Sequence, residues 1–515
     1  MNPLLRLVLP VAVGFVAAAV RLAAGSEIGF FPARGATGVN ADARLVLTFP
    51  SEPALGRSGL IRIYDAADDR LVDVLDLSIP AGPTEPNRTR APYTPVPYDY
   101  RRRSRPTNAD TKPGTPSGVA QPTPDTFQLT IIGGFTDGFH FHPVIVRGRV
   151  ATIQPHHDRL EWGRTYYVQI DPGVLTLADG SFPGIAGKDG WRFATKPAPP
   201  PANAGRYVVS ADGTGDFDTV QGAMDFIPDW SARRVTVFIR AGTYEEIVYF
   251  RNKSHVTLLG EDRARTVVCY ANNEVFNPRP VNVATNEVAG TFPSRRAAFA
   301  ADNCTDLQLA NFTIRSLNER PAQAEGLLLV GERNVVSDVD IEGSGDALQT
   351  NGSAYFRRVK VTGIGDNILG RGPAFFEECE FVTTGGPHMW IRNTEANHGN
   401  VFLRCTFRSV GGEAVLARSP VNRGKTYPHG EAVLLECALQ GVRPEGWGEI
   451  GGDPSGVRFW EYASRNLSDG SPADTSRRHP ASRQLKLPDD ADLIARYRDP
   501  AFVLGGWRPG LPPPR

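Results

Sequence analysis

Residues 334–381 carry one short pattern three times. Val336, Val339 and Ile341 are answered twenty residues later by Phe356, Val359 and Val361, then by Phe376, Cys379 and Phe381. With longer spacers the pattern continues as Phe402, Cys405 and Phe407, then as Leu434, Cys437 and Leu439; an earlier copy is Leu309, Phe312 and Ile314. Short apolar alternations every 20–32 residues, separated by Gly, Asn and polar turns, predict a parallel β-solenoid. A single repeat cannot fold alone, because its inward side chains are covered only by the turns above and below.

The repeat also places two carboxylates. Asp346 lies five residues after Ile341, and Asp366 lies five after Val361, so both hold the same position in adjacent coils. Neighbouring parallel strands run about 4.8 Å apart. Stacked carboxylates repel, so one pKa is expected to rise while the other group stays ionised, which suits a general acid beside a nucleophile or base. The competing reading is structural: each Asp follows a Gly, and Gly-Asp is common turn chemistry.

At 515 residues the chain has room for two or three domains, and its formal net charge of zero gives no reason to expect nucleic-acid binding. Its 53 Gly and 43 Pro favour a turn-rich β protein. Residues 1–24 read as an export signal, with Arg6 ahead of the apolar run LVLPVAVGFVAAAV and small residues at LAAG. That run is too short for a membrane span, so a secreted, soluble protein is expected, free of the membrane after signal cleavage and monomeric. The five cysteines all lie in the solenoid half, and Cys379, Cys405 and Cys437 share one inward position, which predicts a buried ladder of small side chains. No CxxC spacing suggests a metal.

Residues 27–196 read as an all-β module. LIRIYDAADDRLVDVLDL predicts a hairpin, and TYYVQIDPGVLTLADG and WRFATK predict closing strands. Residues 83–124, rich in Pro, Arg and Thr and poor in aliphatics, read as a disordered insertion whose RRRSR run is a solvated loop or a contact for an acidic polysaccharide. His140, His142, His156 and His157 raise a metal hypothesis, but their spacing fits no standard zinc pattern. PAPPPANAG (197–205) is a linker. A β-helix domain is expected over 206–465, opening with a strand and then a short helix that places Val220, Ala223, Met224 and Ile227 on one face, ends at Pro228 and is suited to cover the open end of the solenoid. Residues 466–515 form a tail, in which DDADLIARYRD predicts a short helix and FVLGGWRPGLPPPR is expected to lie against the solenoid.

Two resemblances bear on these readings. Pro32 and the following GATGVNADARLVLTF resemble the start of bacterial Ig-like modules, which implies an Ig-like β-sandwich for the first domain. YVVSADGTGDFDTVQGAMDFIPD, RVTVFIRAGTYEEIVYF and VTLLGE resemble the opening of the pectin methylesterase (pectinesterase) family, over about residues 206–462. That resemblance implies a right-handed parallel β-helix that hydrolyses the methyl esters of polygalacturonate (pectin), releasing methanol, with no cofactor and no metal. It makes Asp346 in IEGSGDAL the general acid/base and Asp366 in GDNILGRG the nucleophile. Arg418 in LARSP becomes the partner of the nucleophile, and Gln323 in PAQAEG an oxyanion donor. Trp447 in PEGWGEI matches a substrate-contacting aromatic, and Trp390 is a second candidate for substrate contact.

The chain departs from the family pattern in two places. The second oxyanion Gln is Gly345, and the aromatic that usually follows the Arg motif is absent from LARSPVN. Losing one oxyanion donor typically costs ~10²–10³ in rate. Rival readings are a Ca²⁺-dependent polyuronate lyase or binding protein using Asp346, Asp366 and Glu325, a non-catalytic polysaccharide-binding scaffold, and a relative hydrolysing a different ester.

Overall fold

A computed structural model describes residues 27–85, 127–130, 132–133, 139–278, 294–318, 321–418, 421–422, 425–450 and 453–512. The export segment and nearly all of the insertion at 83–124 lie outside the described residues.

The first domain is built from two sheets over one core. Gly29–Phe31, Leu45–Thr48, Val150–Ile153 and Val144–Arg147 form one; Ala36–Val39, Arg192–Thr195, Thr165–Ile170, Leu60–Asp65 and Leu71–Asp76 form the other. The expected hairpin is present, with Ile61 opposite Leu75. Alternation does the sorting: Leu45, Leu47, Ile61 and Ile63 are buried while their strand neighbours are half-buried, so each sheet offers one apolar face to the shared core.

In the second domain the described strands form two long parallel sheets, one of fifteen strands and one of nine. The apolar triads run straight up their inner faces. Leu309, Val336, Phe356, Phe376, Phe402 and Leu434 are successive partners in the first sheet. Ile314, Ile341, Val361, Phe381, Phe407 and Leu439 are successive partners in the second. The Phe356 and Phe376 rings stack at 4.5 Å, and those of Phe376 and Phe402 at 4.9 Å. Burying each such ring contributes about 1.5–3 kcal/mol, and no ring achieves it without its neighbours.

The chain turns from one sheet to the other through a single left-handed residue per coil: Asn311, Asp338, Arg358, Glu378, Arg404, Glu436 and Ala463, with φ between 51° and 62°. That backbone costs an L-residue about 1–2 kcal/mol. The stack offsets it, because the corner N–H donates to the next coil: Arg358 to Glu377 O at 3.0 Å and Arg404 to Leu435 O at 2.9 Å. Just past the corner, Cys379, Cys405 and Cys437 form the expected buried ladder. Each thiol donates to a carbonyl of the coil below, as from Cys405 to Phe376 O at 3.4 Å, and all five cysteines are free.

α1 (Val220–Phe226) closes the first coil, burying Val220, Ala223 and Met224 in the solenoid core. Thr219 caps it by accepting from Gly222 N. Asp42 of the first domain accepts from the N–H groups of Asp218 and Thr219. The linker therefore joins two docked bodies, and Ile132, Phe139 and Ile145 share an apolar cluster with Ile247, Tyr249, Tyr270 and Phe276. The four histidines are spent at or near this junction rather than gathered. His140 meets Phe276 O, His142 stacks on Phe276 at 4.8 Å, His156 pairs with Asp73, and His157 pairs with Asp225 at 2.6 Å. In the tail, α2 (Ala491–Arg498) and α3 (Pro500–Val503) lay Tyr497, Val503 and Leu504 on the outward Tyr355, Phe375, Val401 and Val433. The parallel sheet itself continues to Arg483–Gln484, beyond the boundary expected at 465.

Candidate active site

Gln323, Gly345 and Gly365 are bridge partners in three consecutive coils, so the residues that follow the two glycines, Asp346 and Asp366, lie in register. Both Asp residues are left-handed, with φ of 63° and 47°. The backbone N–H of Asp346 donates to Gly365 O at 3.1 Å, and that of Asp366 to Pro387 O at 2.7 Å. They are therefore turn residues, and the turn is what brings both carboxylates to one place. Gly365 is required there, since a Cβ would stand 2.7 Å from the Gly386 Cα.

Each carboxylate has its own guanidinium. Arg418 is held two coils on, its N–H donating to Met389 O at 2.9 Å, and its Nη1 donates to Asp366 Oδ2 at 2.7 Å. Asp366 Oδ1 is buried and has no hydrogen-bond partner. Burial pushes the Asp366 pKa up to about 6; Arg418 pulls against this, and the Asp346 charge adds to it. Asp346 is also raised by burial, with Arg296 pulling back. The expected contrast, one raised and one ordinary carboxylate, is thus replaced by two raised ones, because burial outweighs the arginine beside each.

Arg296 is the residue that sequence reasoning missed. Its Nη2 donates to Asp346 Oδ2 at 2.6 Å, its Nε to both oxygens of Glu325 at 2.9 Å, and its Nη1 to Gln323 Oε1. Glu325 is fully buried. Burial works against the Arg296 charge, but Glu325 and Asp346 more than offset it, and the pKa is raised. Arginine has no acceptor, so the Gln323 atom it touches must be the carbonyl, which leaves the Gln323 NH₂ turned away as a donor. The same contacts bear on the Ca²⁺ reading: a guanidinium already stands between Glu325 and Asp346. Among the described residues no group of three or more His, Cys, Asp or Glu is arranged to hold a metal.

Trp390 is half-buried and lies beside the pair, with the Arg418 guanidinium 5.2 Å and that of Arg392 5.1 Å from its ring. Arg392 is 8% exposed, and its Nε and Nη2 have no partner. Burial, then the Arg371 charge, lowers its pKa to about 10. Trp447 corrects the expectation of substrate contact. It is fully buried and stacks on Phe459 at 4.8 Å, so it presents no surface to a polymer. The residues that bound a cleft of about 600 Å³ beside Arg418 include Trp447 itself, with Pro387, Val415, Arg443 and Glu449.

Comparison with known proteins adds the family. Pectinesterase QRT1 of Arabidopsis thaliana is 27% identical over 304 residues, covering 56% of this chain and 76% of that protein. Probable pectinesterase 8 of the same plant is 26% identical over 303 residues, covering 56% and 72%. Among solved structures, the carrot pectin methylesterase is 20% identical with a TM-score of 0.47, covering 60% of this chain and 95% of that one. Pectin methylesterase PemA from Erwinia chrysanthemi is 22% identical with a TM-score of 0.46, covering 61% and 99%. The family model described as Pectinesterase matches residues 206–483, more than half of the chain, and the protein belongs to the pectinesterase family.

Proposed function

We propose that the chain is a carboxylic ester hydrolase that removes methyl groups from methyl-esterified polygalacturonate. The observation that carries the reading is the pair of in-register carboxylates, each with its own arginine, in a chain of this family. Asp366 attacks the ester carbonyl carbon with the oxygen that Arg418 leaves free, and the carbonyl electrons move onto oxygen. The Gln323 NH₂ donates to that oxyanion. As the tetrahedral species collapses, the C–OCH₃ bond breaks and methoxide takes the Asp346 proton, leaving methanol and an Asp366 anhydride. Asp346, now a carboxylate, takes a proton from water; the hydroxide attacks the sugar acyl carbon, and Asp366 is released as a carboxylate beside Arg418.

Asp366 at about 6 is largely ionised at neutral pH, yet more basic than an ordinary carboxylate. Trp390 offers a half-buried ring for a sugar face, and Arg392 beside it, with Arg371 close enough for its charge to act on Arg392, adds positive charge suited to uronate carboxylates. The signal-like sequence of residues 1–24 supports export, and no described helix is long and apolar enough to cross a membrane. The test is methanol release from methyl-esterified pectin, in EDTA, by wild type and Asp366→Asn. Release by wild type alone is expected. Equal release by both removes Asp366 as nucleophile, and release by neither removes the esterase reading.

A further inference from the structure

Two departures of this site meet at one point: a glycine where the family pattern has an amide, and an arginine that no part of that pattern requires. We propose that they are a single paired replacement: the Arg296 guanidinium fills the space that a long side chain at position 345 would occupy, and supplies the oxyanion donor missing from Gly345. The inference rests on the esterase reading above.

The geometry follows from the coils. Gln323 and Gly345 are bridge partners, so a side chain at 345 would extend alongside that of Gln323. Arg296 touches Gln323 through Nη1 and Asp346 through Nη2. Its fork therefore reaches from the residue across the coil from position 345 to the residue next along the chain, and so spans the gap. Gly345 is not there for backbone freedom, because its φ is not left-handed. A Cβ alone would meet the Ala322 carbonyl oxygen at 3.2 Å, which asks for a shift of a few tenths of an ångström. The nearest neighbours of that Cβ are Ala322 and the Gln323 backbone, so the conflict we infer with the guanidinium lies with the outer atoms of a Gln side chain, which would run beside Gln323.

The chemistry fits the exchange. Hydrogen bonds from a charged donor are roughly twice as strong as neutral ones, so one guanidinium can stand in for a lost amide. Glu325, fully buried, takes Nε and part of Nη2 and fixes the plane of the fork. The same fork orients the Gln323 amide and lies beside Asp346 when that residue loses its proton to the leaving methoxide. Glu325, Arg296, Gln323 and Gly345 thus act as one unit.

Arg296→Gln alone leaves Glu325 buried without its counter-charge, which endangers folding. The test therefore uses Arg296→Gln with Glu325→Gln, and adds Gly345→Gln to both wild type and this double variant. Methanol release (kcat and KM) and melting temperature are read for all four proteins. The double variant should lose roughly 10²–10³ in kcat. Gly345→Gln should lower kcat by roughly tenfold or more in wild type, yet raise it by a similar factor in the double variant, a sign reversal that independent sites do not show. Overturning results are a double variant within about threefold of wild type, or a Gly345→Gln effect of the same sign in both backgrounds. If wild type releases no methanol, the esterase reading fails separately. The pairing is then read from melting: Gly345→Gln should destabilise wild type and spare the double variant, and equal shifts overturn it.

Discussion

Replacing Arg418 by Gln removes the cation that favours ionised Asp366. Asp366 attacks as a carboxylate, so kcat/KM should fall as pH drops through its pKa, about 6 in the wild type. Arg418 lowers that pKa, and its loss must raise it. Unit charges roughly 4 Å apart at an effective dielectric of about 20 interact by about 4 kcal/mol. The Arg418 side chain is 36% exposed, so solvent screens much of this. A charge-assisted hydrogen bond nets about 1.5–3 kcal/mol, and the lower end corresponds to ~1 pKa unit. The acid limb should therefore move from about 6 to ~7. At pH 6 the ionised fraction drops from about one half to roughly one tenth, while near pH 9 both enzymes are almost fully ionised. Initial rates of methanol release between pH 4.5 and 9 measure this directly. A limb that stays in place, or a loss equal at every pH, refutes the claim that Arg418 sets the ionisation of Asp366.

The same carboxylate makes a stability prediction. Its folded pKa of about 6 lies above the ordinary 3.8, so ionised Asp366 costs stability as pH rises through that interval. Asp366→Asn should therefore raise the melting temperature at pH 7, by up to ~3 kcal/mol of stability, and leave it nearly unchanged near pH 3.5; a variant that melts lower at pH 7 contradicts this. The cysteine ladder predicts that an aromatic disulfide reagent reacts with no thiol of the native protein and with five after unfolding. Rapid native reaction at Cys379, Cys405 or Cys437 would place that side chain outside the core.

The solenoid was legible because its core is written as spacing. Val336, Phe356 and Phe376 recur at equal intervals, and a parallel stack needs no more information than that to align them. Asp346 and Asp366 could be placed together on the same count, and Arg418 on the family pattern. Arg296 could not. It lies fifty residues before Asp346, outside the repeat, and its role depends on which way one long side chain reaches. Trp447 shows the converse failure, since a motif suggests contact with substrate but says nothing of whether Phe459 already covers the ring. The histidines, set aside as a metal site on their spacing, have partners that no spacing announced: Phe276 for His140 and His142, Asp73 for His156 and Asp225 for His157.

The left-handed corners bear on how such a chain can change over generations. Each corner is answered by the coil that follows, whatever that coil contains beyond its strands, so length can be added between strands without disturbing the layers on either side. The coils bearing Asp346 and Asp366 follow one another at the shortest interval, twenty residues, whereas Phe402 and Leu434 are separated by thirty-two. The extra length falls, by residue number, between 383 and 400 and between 409 and 431, the stretches that contain Trp390 and Arg418. New loops can thus reshape the surface beside the acid pair while the two acids keep their spacing, and heritable variation has a place to accumulate apart from the stacked layers.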